Sequence, residues 1–180
     1  MCIRDRLVGA TVGGNLICSK GEFYNREGDA LAADRIEVKD SVFLDKGFKA
    51  QGKVRLVGAT VGGDLICNKG EFYNPEEDAL SADKVQVKGG VFLKEGFKAE
   101  GKVGLVGTMV GGDLICSKGE FYNPEGDALT ADRIEVKGSV FLDEGFKAEG
   151  EVRLVGATVG GDLACRKAEF HNPNGRALTA

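Results

Sequence analysis

Leu7-Val-Gly-Ala-Thr-Val-Gly-Gly-Asn-Leu-Ile-Cys18 returns almost unchanged as Leu56-Val-Gly-Ala-Thr-Val-Gly-Gly-Asp-Leu-Ile-Cys67, again from Leu105 to Cys116, and once more from Leu154 to Cys165. The period is 49 residues, a length typical of repeat architectures whose units bury their apolar faces only by stacking on one another. Each unit divides again. Val61-Gly-Gly-Asp-Leu65-Ile-Cys67 shares its apolar spacing with Val87-Lys-Gly-Gly-Val91-Phe-Leu93, 26 positions on, and the next step, Val87 to Val110, is 23. The chain therefore reads as longer and shorter circuits of one coil in alternation.

Three segments per circuit alternate as strands do: Val54-Arg-Leu56, Ala59-Thr-Val61 and Leu65-Ile-Cys67. Each is too short for a helix and is bounded by a Gly-containing corner. Single positions followed through successive circuits give apolar ladders, one through Val12, Val38, Val61, Val87, Val110, Val136 and Val159 and another through Leu16, Val42, Leu65, Val91, Leu114, Val140 and Leu163. A third runs through Phe23, Phe48, Phe72, Phe97, Phe121, Phe146 and Phe170. The expected fold is an all-β, right-handed parallel β-helix of about seven coils, right-handed because parallel crossovers almost always are. Stacked at about 4.8 Å per turn, it would be a rod about 34 Å long. The Gly-Gly pairs at 13 and 14, 62 and 63, 111 and 112, and 160 and 161 are expected at corners that need positive φ. A phosphate-binding loop would need a following helix and a Lys-Ser/Thr element, and the repeat has neither.

Residues 6–180 read as a single solenoid domain, and Met1 to Asp5 as a tail or junction outside the repeat. Gly supplies 28 of 180 residues and Pro only 3, which excludes collagen-like and Pro-rich disordered chains. The 28 acidic and 24 basic residues are interspersed, so there is no basic tract to hold phosphates and no nucleic acid partner is expected. No apolar run is long enough to span a bilayer, and the N-terminus lacks a signal-peptide core, so the expected compartment is the cytoplasm. The repeat runs to Ala180 in mid-ladder beside Leu178. Open solenoid ends expose strand edges, so the expectation is a fragment of a longer array or a rod that stacks end to end.

The triplets Gly63-Asp64-Leu65 and Gly70-Glu71-Phe72 resemble those of pentapeptide-repeat proteins, and the whole pattern is similar to that of divergent bacterial β-solenoid relatives of that family. The inward spacings differ: Val61 to Leu65 is four and Leu65 to Phe72 is seven, where the family has five. The resemblance implies a solenoid with a binding role and carries over no catalytic motif.

Cys18, Cys67, Cys116 and Cys165 alternate with Leu44, Leu93 and Leu142 on one ladder. Two turns, about 9.6 Å, separate successive cysteines, too far for a disulfide or a shared zinc ion, so they read as small core residues and no metal or cofactor is expected. Cys2 stands outside the repeat, and the sole histidine, His171, replaces Tyr24, Tyr73 and Tyr122 of the earlier units. No nucleophile accompanies it, and the chain is expected not to be an enzyme.

Two surfaces remain. With Leu65 and Cys67 inward, Ile66 must face out, as must Ile17, Phe43, Phe92, Ile115 and Phe141. Such an outer apolar stripe is expected to bind a protein partner or a second copy, as the open ends could. The longer circuits differ by the corner Gly70-Glu-Phe-Tyr-Asn-Pro-Glu-Glu-Asp78, which is expected to protrude on alternate turns. It would present Glu22, Tyr24 and Asn25, then Glu71, Tyr73 and Asn74, then Glu120, Tyr122 and Asn123. The first reading is thus a non-catalytic scaffold or interaction module. The alternative is a carbohydrate-binding or carbohydrate-active β-helix working through these Tyr/Asn/Glu corners.

Overall fold

A computed structural model describes residues 5–180. Cys2 and all but the last residue of the presumed tail lie outside the described residues. The described residues contain no helix, and every strand pairing among them is parallel. The chain coils through three sheets in turn, as Lys49–Arg55, Thr60–Val61 and Leu65–Ile66 in one circuit and Glu71–Ser81, Gln86–Val87 and Val91–Phe92 in the next. Val61 pairs with Val87 and Val87 with Val110, so the 26- and 23-residue circuits do lie one over another. This is a parallel β-solenoid of about seven turns.

The ladders place an apolar side chain inward at each level, and in the middle of the stack Val61, Val87, Leu65 and Val91 are almost completely buried. Backbone groups pair with the turn above and the turn below, so burial and hydrogen bonding are satisfied together. At the two end turns the same ladder positions, Val12, Leu16, Val159 and Leu163, are partly exposed.

The phenylalanine column is continuous, with successive ring centroids 5.1 to 5.4 Å apart from Phe23 to Phe170. Its backbone origin alternates. In long circuits the ring comes from within the strand, where Phe72 pairs with Ala50 and Ala99. In short circuits it comes from Phe48 and Phe97, two residues earlier. The long circuit carries Gly70 two residues before Phe72, and a Cβ on Gly70 would crowd the Leu44 and Cys67 carbonyl oxygens and the Phe72 ring. Gly-x-Phe and Phe-x-Ala thus fill one column from two registers.

The longer circuit does not carry its extra residues in a corner, as the Asn-Pro signal suggests. They form a bulge inside the 11-residue strand. Tyr73 pairs with Gln51 and Leu80 with Val54, so four residues of one strand have no counterpart in the other. Asn74 closes the bulge by donating from Nδ2 to the Asp78 carbonyl oxygen at 2.8 Å, and Asn25 and Asn123 do the same for Asp29 and Asp127. The following short strand accommodates the bulge with Gly101, held at φ +108°, where a Cβ would collide with the Asn74 carbonyl oxygen.

The Gly-Gly pairs are used differently from the expectation. None has positive φ. A Cβ on Gly62 would instead collide with the Lys39 carbonyl oxygen of the preceding turn, so close backbone approach selects glycine there. The left-handed corner positions are taken by Lys69 and its equivalents at one corner, and by Gly58 and Lys84 in alternating circuits at another. Asp83 steadies its corner by accepting the Val106 amide at 2.8 Å, and Asp34 and Asp132 accept those of Val57 and Val155.

Candidate functional site

The cysteine ladder is part of the core. Cys67 and Cys116 are fully buried, and desolvation pushes both thiols far above their ordinary titration range. A thiol held protonated inside an apolar column is a poor nucleophile and a poor metal ligand. Cys165, in the last turn, is half-buried. Among the described residues no group of three or more His, Cys, Asp or Glu side chains is placed to hold a metal ion. Among them, too, no helix is long and apolar enough to cross a membrane.

The outer stripe lies on a single register of the third sheet. Ile17 pairs with Phe43, Phe43 with Ile66, Ile66 with Phe92, Phe92 with Ile115 and Ile115 with Phe141, and the row ends at Ala164. All six large side chains point away from the core. Ile17 is 66% exposed and the other five are half-buried. The Lys94 ammonium lies 5.4 Å from the Phe92 ring centroid. The equivalent outward row of the second sheet is polar, running Thr11, Glu37, Thr60, Gln86, Met109, Glu135 and Thr158. Met109 is its one large apolar member, in a shallow depression lined by Gln86, Lys88, Glu135 and Lys137.

The tyrosines share a row on the outer face of the first sheet. Its register runs Tyr24, Gln51, Tyr73, Glu100, Tyr122, Glu149 and His171. Tyr24, Tyr73 and Tyr122 are 44 to 47% exposed. The adjacent row alternates in charge through Glu22, Lys49, Glu71, Lys98, Glu120, Lys147 and Glu169. Lys49 and Glu71, and Lys98 and Glu120, are 3.1 Å apart, and Lys147 and Glu169 are 3.3 Å apart. The hydrogen bond to Glu71 raises Lys49 above its ordinary value. The Tyr24 hydroxyl donates to Glu22 at 2.9 Å. Of the nine corner residues singled out in the sequence, Asn25, Asn74 and Asn123 use their amides to close the bulges, while the tyrosines and glutamates remain on the surface.

Two features were missed in the sequence. Asp78, at the exit of the bulge, sits between Lys53 at 2.7 Å and Lys102 at 2.8 Å. Burial of its carboxyl acts to raise it, but hydrogen bonds from Lys102 and Lys53 outweigh this and leave it below the ordinary carboxylate value. The second is the column Ser19, Asp45, Asn68, Lys94, Ser117 and Asp143 at the third corner. Ser19 and Ser117 donate to the buried carboxylates of Asp45 and Asp143, whereas Asn68 and Lys94 replace that pair in the middle unit and leave the Asn68 Oδ1 buried without a hydrogen bond. The unlike residues at equivalent repeat positions were the available signal for this exchange.

Comparison of the chain with protein-family profiles, curated proteins and solved structures finds no match.

Proposed function

We propose that the chain is a rigid, non-catalytic interaction module that presents the stripe from Ile17 to Phe141 to another protein. The observation that carries this reading is the contrast between sheets. The third sheet aligns six large apolar side chains in one unbroken outward register, whereas the second sheet's outward row is polar except at Met109 and the first sheet's rows carry Glu/Lys pairs and tyrosines separated by Gln or Glu. Contiguous outward apolar surface of this kind marks association faces. The absence of catalysis is supported by the buried, protonated thiols of Cys67 and Cys116 and by the ion-paired state of the ladder carboxylates.

The resemblance to divergent bacterial pentapeptide-repeat proteins rests on Gly63-Asp64-Leu65 and Gly70-Glu71-Phe72, and what it implies is a parallel coil with a binding role.

Size-exclusion chromatography with light scattering tests the reading. The wild type should assemble in a concentration-dependent way, and Phe92→Asp should shift it to monomer. A monomeric wild type whose assembly and solubility are unchanged by Phe92→Asp would remove the stripe as a self-association face.

A further inference from the structure

We propose that the outer face of the first sheet is a trough for an extended, neutral, β-1,4-linked glycan, with Tyr24, Tyr73 and Tyr122 as stacking platforms. The site is separate from the Ile/Phe stripe, so the two readings stand or fall independently.

The first support is period. The platforms recur every second turn, about 9.6 Å apart on a parallel stack. An extended β-1,4-linked chain flips each successive sugar, so like faces recur once per disaccharide, and that repeat is close to two turn heights. An extended peptide does not match, because its side chains recur on one face every two residues, about 6.7 Å. The sheet face also offers a peptide no unpaired backbone groups.

The second support is what lies between the platforms. Gln51 stands between Tyr24 and Tyr73, Glu100 between Tyr73 and Tyr122, and Glu149 beyond Tyr122. The carboxylate oxygens of Glu100 and Glu149 therefore meet the alternate sugar, whose hydroxyl groups are donors, and the Gln51 amide oxygen, which accepts from Arg26 Nε at 2.9 Å, keeps its second lone pair for it. Tyrosine itself combines a flat apolar body with a polar tip, suited to the face of a pyranose ringed by hydroxyls.

The third support is shape and charge. One depression on this row is lined by Arg26, Gln51, Tyr73, Asn74 and Glu76, and another by Lys98, Glu100, Glu120 and Tyr122. Both lie on the Tyr row, which runs between the bulges and the Glu/Lys ladder. The ladder lysines are engaged by Glu71, Glu120 and Glu169, so a uronate chain would meet Glu100 and Glu149 with its own like charge. A neutral chain is the better complement.

Calorimetric titration of the full chain with cello- and chito-oligosaccharides tests the proposal. Sugars one, three and five of a chain reach successive platforms, so affinity should step up at the trisaccharide and the pentasaccharide and change little between them. Tyr73→Ala, with its fold verified by circular dichroism, should weaken pentasaccharide binding about tenfold, while Tyr73→Phe should stay within about twofold. The β-1,3-linked pentasaccharide, which curves away from the row, should bind about tenfold more weakly than its β-1,4 counterpart. No binding by either series, a smooth rise with length, equal binding of the β-1,3 chain, or a folded Tyr73→Ala variant that binds like the wild type would each overturn it.

Discussion

Phe72 and Phe97 lie ring beside ring, with centroids 5.3 Å apart, although the backbone pairs Phe72 with Ala99. One apolar column is thus supplied from two backbone registers, and each large residue depends on a small one opposite.

That dependence can be measured. Phe97→Ala should lower unfolding free energy by about 3 to 5 kcal/mol, as expected for a fully buried ring. Ala99→Phe alone should also destabilise, by about 1 to 3 kcal/mol, because the column is already full. The double variant should lose less than the two single losses together, since its new ring enters the vacated space. Urea unfolding of the four proteins gives the coupling; strict additivity would show that the two positions do not share one space.

Gly101 and Gly96 are both at positive φ, yet they should respond differently to alanine. Gly96 has only the Lys69 Cγ, 3.9 Å away, near its missing Cβ, whereas Gly101 faces the Asn74 and Glu77 carbonyl oxygens. Gly96→Ala should cost about 1 to 2 kcal/mol, for left-handed backbone alone. Gly101→Ala should cost clearly more, because the bulge must move as well. Thermal unfolding of the two variants measures the difference, and equal losses would contradict the close approach.

The Phe column and the glycines also mark how far the sequence could be read. The Val61 and Leu65 ladders were legible because the same residue types recur at the same inward positions, and alternation alone turned Ile66 and Phe92 outward. The two registers of the Phe column were not, because counting aromatic residues does not reveal which backbone position sends the ring inward. Asn74-Pro75 marked a break in the strand, but the same turn chemistry serves a bulge as well as a corner. Gly62 was read for its φ when its backbone contact was decisive; one letter serves both uses. The candidate surfaces were legible as outward rows, whereas the Asp78 ion pairs were not, since Lys53 and Lys102 are 25 and 24 positions away and meet it only once the register is known.

Asp78 gives the fold an acid-sensitive element. Its carboxyl titrates lower in the folded chain than in the unfolded one, net of burial and the opposing hydrogen bonds from Lys102 and Lys53. Its contribution is therefore complete above the ordinary carboxylate value, about pH 4, and is lost as the pH falls through the lower folded value. Asp78→Asn should reduce stability by about 1 to 3 kcal/mol at neutral pH. It should also flatten the loss of stability below about pH 4. Chemical denaturation at pH 7 and pH 3 checks this; an equal deficit at both would contradict the assignment.

Cys116 should be inert to Ellman's reagent at pH 8 in the native protein when it is the sole cysteine present, and should react fully on unfolding. Its burial and raised titration range both require this. Rapid native-state labelling would place it outside the core.

Direct evidence for the coil would come from backbone nuclear Overhauser contacts in the isotopically labelled protein. Contacts should join Val61 to Val87, 26 residues on, and Val87 to Val110, 23 residues on, with the alternation repeating along the chain. Contacts at a single constant separation, or none between these valines, would contradict the alternating solenoid on which both proposed surfaces depend.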